Sequence, residues 1–140
     1  MARSLVVGYD GSECARAALE EAIHFAGTTG DRIVVAFGYE PGGYGEEHAA
    51  HREEVRKFGE RATAPALARA REAGVDVTLA LVPERPTDAL ISLAAEHDAR
   101  AIVVGTHGET PIRSAILGST PHKLLHLSDR PVLVVPVEHG

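Results

Sequence analysis

The chain has 140 residues, of which 44% are hydrophobic and 24% charged, a composition typical of a single soluble globular domain. Its formal net charge of −6 argues against a nucleic-acid binder, because a negative surface repels phosphate backbones. The single cysteine, Cys14, excludes an intramolecular disulfide framework. No apolar run approaches the roughly 20 residues of a membrane span and the start lacks a signal-peptide pattern, so we expect a cytoplasmic protein without membrane contact.

Five short segments rich in β-branched residues predict strands. Three of them are nearly continuous apolar runs, as expected of parallel strands that helices cover on both faces. The third segment instead alternates polar and apolar residues, which favours a half-exposed edge strand. In chain order the five segments are 4–10, 32–39, 75–82, 100–106 and 131–137.

Four segments with helical spacing of apolar residues lie between these strands. Ser12 can cap the first helix, and one of two glycines, Gly27 or Gly30, ends it. Pro65 falls inside the second helix and should kink or interrupt it. In chain order the segments are 12–30, 46–74, 86–99 and 120–128.

The alternation of strand and helix predicts an α/β fold with an open, five-stranded parallel sheet and helices on both faces. No linker or internal repeat divides residues 1–140, so we expect a single domain. If the strand order is 3-2-1-4-5, the first and fourth strands flank the point where the order reverses. Ligands of open α/β sheets bind at that point, beyond the carboxyl ends of the strands.

Polar and glycine-rich turns follow the first and fourth strands. Asp10 could there accept hydrogen bonds from ribose hydroxyls, and Gly105 and Gly108 could let backbone amides approach phosphate oxygens. Ser119 and Thr120 would add hydroxyls at the start of the last helix. Ordinary turn chemistry offers a second interpretation of each position: an Asx turn for the aspartate, tight turns for the glycines and a helix cap for the hydroxyl residues.

The chain resembles the universal stress protein family, many members of which bind ATP. The family's nucleotide pattern is Gly, two residues, Gly, nine residues, Gly, then Ser or Thr. Gly105, Gly108, Gly118 and Ser119 reproduce that spacing. The opening "VVGYDGS" and the closing "RPVLVVP" are similar to the family's first and last strands. The resemblance implies the adenine nucleotide alpha hydrolase-like fold and a homodimer joined through the closing strand, residues 132–137.

The resemblance also implies a binding site for ATP, accompanied by Mg²⁺. Asp10 would contact the adenosine, and the backbone near Phe37 would meet the adenine edge. Positive charge near the phosphates would come from Arg113 and from His107 when it is protonated. The remaining residues would surround the ribose and phosphates: Gly105, Gly108, Gly118, Ser119 and Thr120.

Two residues depart from the pattern of ATP-binding relatives. Glu109 stands where a basic residue is common, and Pro111 stands where glycine is common. Three functions therefore stay open. The first is a nucleotide-dependent homodimeric stress sensor or switch that acts on a protein partner not identified from the sequence. The second is a dimeric interaction module without nucleotide, and the third is a slow ATPase, for which no catalytic residues and no metal site are identified.

Overall fold

The structure is a computed structural model that describes residues 3–39, 46–107 and 118–137. Five strands alternate with four helices through the described residues. Among those residues no helix is long and apolar enough to cross a membrane. In chain order the elements are β1 (Ser4–Gly8), α1 (Glu13–Thr29), β2 (Arg32–Gly38), α2 (Glu46–Glu72), β3 (Val77–Val82), α3 (Pro86–Glu96), β4 (Ala99–Gly105), α4 (Ser119–Leu127) and β5 (Val132–Val135).

The five strands form one parallel sheet in the order β3-β2-β1-β4-β5, which confirms the predicted fold class and strand order. The chain builds the sheet outward from β1 to β3, and α3 then carries it back across to β4. The order therefore reverses between β1 and β4. Their carboxyl ends flank the switch point at which open α/β sheets bind ligands.

Two apolar cores lie on opposite faces of the sheet, because successive strand residues point to opposite sides. On one face Val7, Val35 and Val103 pack with α1 and α2. On the other face Val34 and Ile102 pack with α3 and α4. Covering both faces explains why these strands read as continuous apolar runs.

Four of the five strands are shorter than the sequence suggested, and β4 keeps its predicted length but begins one residue earlier, at Ala99. The first ends at Gly8, so Asp10 lies in the turn beyond it, and the last ends at Val135, so Val137 lies outside it. The third begins at Val77 and is an edge strand with mostly half-buried residues, as its alternating pattern predicted. Gly30 rather than Gly27 ends the first helix: it adopts a left-handed conformation and its N–H bonds the carbonyl of Ala26.

Helix α2 runs through Pro65 without the interruption predicted from the sequence. Proline costs a helix one N–H donor and crowds the preceding turn. Thr63, two residues earlier, is fully buried, and its hydroxyl donates to the carbonyl of Gly59 at 2.7 Å. Ala66 and Ala70 bury this part of the helix in the core next to β2 and β3. Packing therefore keeps the helix continuous where local propensity opposes it.

An ion pair connects two strands at the opposite end of the sheet, where the strands begin. The carboxylate of Asp31 is fully buried and accepts from the guanidinium of Arg100 at 2.5 Å and from the backbone N–H of Arg3 at 2.8 Å. The Arg100 hydrogen bond lowers the pKa of Asp31 from 3.8 to about 2, although burial alone would raise it. The pair links the amino end of β2 to that of β4, far from the switch point.

Candidate functional site

A cavity of about 180 Å³ lies at the switch point, beyond the carboxyl ends of β1, β2 and β4 and beside the starts of α3 and α4. We call it the switch-point cleft. It combines an apolar wall with one carboxylate, one imidazole and three residues that carry hydroxyl groups. Its lining residues are Gly8, Tyr9, Asp10, Ala15, Ala36, Phe37, Gly38, Pro86, Ala89, Leu90, Val104, Gly105, His107, Gly118, Ser119, Thr120 and Pro121.

The turn after β1 holds Asp10 in place. One carboxylate oxygen, Oδ1, accepts a hydrogen bond from the backbone N–H of Ser12 at 2.9 Å. Ser12 in turn caps α1, since its Oγ accepts from the N–H of Ala15 at 3.1 Å. Asp10 thus forms the Asx turn and also lines the cleft. The turn fixes the carboxylate at the mouth of the site, so the two interpretations of this residue are compatible.

Gly105 is required by close packing and not by a tight turn. Its φ is not among the positive values of the described glycines. A Cβ built on Gly105 would lie 2.6 Å from both the Cβ and the carbonyl oxygen of Cys14, in the first turn of α1. Only glycine lets the end of β4 pass so close to that helix. The interpretation of Gly105 as a residue with positive φ is therefore wrong.

The start of α4 presents backbone donors to the cleft. Gly118 is the N-cap and has no side chain to cap the helix. The alternative interpretation, in which a hydroxyl side chain caps α4, is therefore wrong. The first residues of an α-helix lack partners for their N–H groups within the helix. Here these are Ser119 and Thr120, because Pro121 has no N–H. Together with the positive end of the helix dipole, the two amides form a place that favours an anion.

A backbone hydrogen bond joins the described residues that precede and follow 108–117 at the cleft. The N–H of Gly118 donates to the carbonyl of Thr106 at 2.8 Å, which joins the two ends of the intervening segment. His107 is half-buried and lines the cleft on one side of this closure. Four residues that the sequence analysis placed near the phosphates lie outside the described residues: Gly108, Glu109, Pro111 and Arg113.

The backbone N–H and C=O of Gly38, at the end of β2, face the cleft. The ladder between β1 and β2 ends at Gly8 and Ala36, while β2 continues to Gly38. Backbone groups alternate between the two neighbouring strands, and the carbonyl of Ala36 faces β1, where it accepts from Tyr9. The N–H and C=O of Gly38, two residues further along β2, therefore point to the same side as those of Ala36, into the space beyond the end of β1. Phe37 borders the cleft, but its ring packs under α2.

The glycines at 59 and 38 both reflect close packing around the end of β2. A Cβ on Gly59 of α2 would lie 2.8 Å from the Phe37 ring, so the ring occupies the space that a larger residue would need. A Cβ on Gly38 would lie 2.8 Å from the carbonyl oxygen of Glu84, at the start of the connection into α3. The absence of a side chain at Gly38 lets the start of α3, at Pro86 and Ala89, lie close against the end of β2 beside the cleft.

Sequence reasoning missed the apolar wall of the cleft. Pro86, Ala89 and Leu90 of α3 and Val104 of β4 contribute it. Their apolar character is ordinary for a buried helix, so no local pattern marks them as site residues. The topology did contain the signal, because the helix that crosses from β3 back to β4 must begin near the switch point.

The described residues do not form a metal site with three or more side-chain ligands. His122 and His126 stack edge to face on α4 with ring centroids 5.0 Å apart, and both are exposed. The described residues contain no group of three His, Cys, Asp or Glu side chains that could hold a metal ion. Tyr9, by contrast, lines the cleft, and burial raises the pKa of its hydroxyl.

Known proteins resemble this chain over nearly its whole length. The Universal stress protein family matches residues 1–136. The universal stress protein YxiE of Bacillus subtilis is 31% identical over 147 residues, which cover 96% of this chain and 99% of YxiE. The structure of hypothetical protein MJ0577 superimposes with a TM-score of 0.86 at 19% identity, covering 100% of this chain and 99% of that one. A universal stress protein solved in complex with cAMP gives a TM-score of 0.75 at 30% identity, covering 95% and 96%.

Proposed function

The chain belongs to the universal stress protein family, and from that premise we propose that it binds an adenine nucleotide in the switch-point cleft. The observation that carries the proposal is the meeting of three separate segments in one cavity. These are the turn at Asp10, the end of β4 at Gly105 and the start of α4 at Gly118. A relative that is 30% identical and was solved with cAMP supports the ligand class.

Each part of the nucleotide has a matching group in this proposal. The base lies in the apolar part of the cleft, against Ala89 and Leu90, with its polar edge at the peptide of Gly38. The carboxylate of Asp10 accepts from the ribose hydroxyls, since acidic residues take this role at other nucleotide sites. The phosphate lies at the N-terminus of α4, where the amides of Ser119 and Thr120 donate.

The finer proposal is that ATP is the nucleotide, as the spacing of Gly105, Gly108, Gly118 and Ser119 implies. Mg²⁺ would then accompany the phosphates. Mg²⁺ in phosphate sites is held by the phosphates together with one or two protein groups, so the lack of a three-ligand cluster among the described residues is compatible with it. The metal would supply positive charge, of which the described cleft lining has little: no lysine or arginine belongs to it.

We extend the proposal to a cytoplasmic homodimer that uses the nucleotide as a switch toward a protein partner. β5 is an edge strand, and pairing it with β5 of a second copy satisfies its outer backbone groups. α4 starts at the cleft and leads directly into β5. Occupancy of the cleft can therefore bias the surface near the dimer edge. The single cysteine, Cys14, is compatible with a reducing compartment.

Calorimetric titration of the wild type and of Gly118→Val with AMP, cAMP and ATP, with and without Mg²⁺, tests the nucleotide site. Gly118 is buried and has a φ of −61°, which valine also adopts, so the substitution adds volume at the phosphate position without backbone strain. We expect nucleotide binding by the wild type and at least a tenfold weaker affinity for the variant. Gly27→Val is the matched control, because a Cβ there meets nothing within 4 Å. Normal binding by Gly118→Val would refute the phosphate assignment.

A further inference from the structure

Two histidines on α4 lie outside the switch-point cleft and have no role in the proposed nucleotide site. His122 and His126 are four residues apart, about one turn of the helix, and their ring centroids lie 5.0 Å from each other. Both side chains are exposed, and neither imidazole forms a hydrogen bond or an ion pair with another described residue. The unprotonated nitrogen of each ring is therefore available to a ligand from solution.

The helix presents this pair on the side that faces away from the protein. Successive residues of an α-helix are about 100° apart, so Leu124 lies directly opposite the midpoint between the two histidines. Leu124 is fully buried in the core on the α3 face of the sheet. Lys123 lies roughly 80° round the helix from that midpoint. The two imidazoles consequently share one solvent-facing side of α4, with room for an ion and its water ligands.

We propose that His122 and His126 form a two-histidine site for a divalent transition metal ion of the Zn²⁺, Cu²⁺ and Ni²⁺ class. Imidazole nitrogen suits these ions, whereas Mg²⁺ and Ca²⁺ prefer oxygen ligands. Histidines at positions i and i+4 of a helix are also the pair that binds Zn²⁺ in H-E-x-x-H proteins. Zn²⁺ takes four ligands, and the described residues supply no third side chain, so water completes the coordination.

The spacing of the two rings fits a shared ion. Zn–N bonds of about 2.0–2.1 Å place the ion roughly 3.2 Å from each ring centroid, which puts the two centroids roughly 5 Å apart at a tetrahedral ion. The observed separation is 5.0 Å. The rings meet at 72°, and rotation about χ2, a broad torsion in histidine, turns one nitrogen of each ring toward a common point. Because both rings are exposed, this rotation leaves the core packing unchanged.

A bound ion would act on the helix that begins at the switch-point cleft. Ligands one turn apart join two points of α4 and favour its helical conformation. Ser119, the first residue of this helix, lines the cleft, so the ion stabilises the helix whose N-terminus is proposed to bind the phosphate. A ligand that binds only the folded chain also raises the free energy of unfolding by mass action. The metal site itself does not depend on the nucleotide proposal, and its test uses no nucleotide.

Calorimetric titration of untagged protein, dialysed free of metal, with ZnCl₂, CuCl₂ and MgCl₂ tests the inference. We expect the wild type to bind one Zn²⁺ per chain, to bind Cu²⁺ more tightly than Zn²⁺, and to bind no Mg²⁺. His122→Gln and His126→Gln should each weaken Zn²⁺ binding at least about tenfold, because the advantage of two linked ligands is lost.

Two control variants separate spacing from the number of histidines. His24→Gln removes an exposed histidine of α1, a helix with no second histidine, and should bind Zn²⁺ as the wild type does. His126→Gln combined with Leu127→His keeps the number of histidines but sets the pair roughly 140° apart round the helix, so it should bind as weakly as His126→Gln. Urea denaturation without metal checks that the variants remain folded. With Zn²⁺ present, the midpoint should rise only for the wild type and His24→Gln.

Four results would overturn the inference. The first is a wild type without saturable binding of Zn²⁺ or Cu²⁺. The second is wild-type affinity in either α4 single variant or in the rearranged variant, because the ion would then bind elsewhere. The third is equal weakening by His24→Gln, because the loss would then follow the number of histidines and not their spacing. The fourth is binding of Mg²⁺ with similar affinity, which would assign the ion to oxygen ligands.

Discussion

Substitutions of Asp10 separate the two roles of its carboxylate. Asp10→Ala removes the acceptor for the Ser12 N–H and the acceptor proposed for the ribose hydroxyls. Asp10→Asn keeps a carbonyl oxygen that can accept from Ser12 but loses the charge. Hydrogen bonds to charged groups contribute about 1.5–3 kcal/mol, which corresponds to about 10- to 150-fold in the dissociation constant. We expect that loss in nucleotide affinity for alanine, and a smaller loss, about tenfold or less, for asparagine.

Stability should respond differently from binding. Loss of the Asx-turn hydrogen bond lowers the free energy of unfolding of Asp10→Ala by about 1 kcal/mol, whereas Asp10→Asn retains that bond and should match the wild type. Calorimetry with AMP measures the first quantity and urea denaturation the second. Asp76→Ala is the control, since Asp76 is an exposed aspartate at the opposite edge of the sheet. Full nucleotide affinity in Asp10→Ala would refute the ribose assignment and leave Asp10 as a turn residue alone.

Two further predictions concern stability. Asp31→Asn should lower the free energy of unfolding by about 2 kcal/mol at pH 7, because the pKa of Asp31 falls from 3.8 to about 2 in the folded chain. A lowered pKa stabilises the folded chain above about pH 4. The difference in the free energy of unfolding between wild type and variant should therefore shrink as the pH falls from about 4 to about 2. A difference in urea denaturation that does not change with pH would contradict this. Gly105→Ala should cost about 1–3 kcal/mol in the same assay, since its Cβ would contact the backbone of α1 at 2.6 Å, while Gly27→Ala should cost nothing; equal stabilities would refute the close-packing account.

The sheet could be predicted from the sequence because its physical cause is local. Continuous apolar runs such as 100–106 are expected where helices cover both faces of a parallel sheet, and the strand order assumed for the sequence matches the fold that the family resemblance implies. The candidate site could be predicted in part because the topology of an open α/β sheet places its ligand site at the switch point and because the chain reproduces the family's glycine spacing. Asp10, Gly105 and Gly118 are far apart in the chain, yet they line one cavity.

The remaining features depend on contacts between distant residues and so leave no local pattern. The need for glycine at 105 comes from Cys14, on another element, and the orientation of the Phe37 ring comes from Gly59 of α2. The continuity of α2 through Pro65 depends on tertiary packing around Thr63, which outweighs the local preference of proline. Strand ends were predicted too long where apolar residues continue past the end of the strand pairing, as Tyr9 does after β1 and Val137 after β5.

Analysis of the small molecules released when freshly purified protein is denatured is the first test of nucleotide binding in the switch-point cleft. We expect an adenine nucleotide in the released fraction. Where the purified protein carries none, we expect saturable binding of AMP or ATP that Gly118→Val weakens and Gly27→Val does not. Absence of any released nucleotide, together with no binding of AMP, cAMP or ATP with or without Mg²⁺, would contradict it. That result would favour the alternative function, a dimeric interaction module that binds no nucleotide.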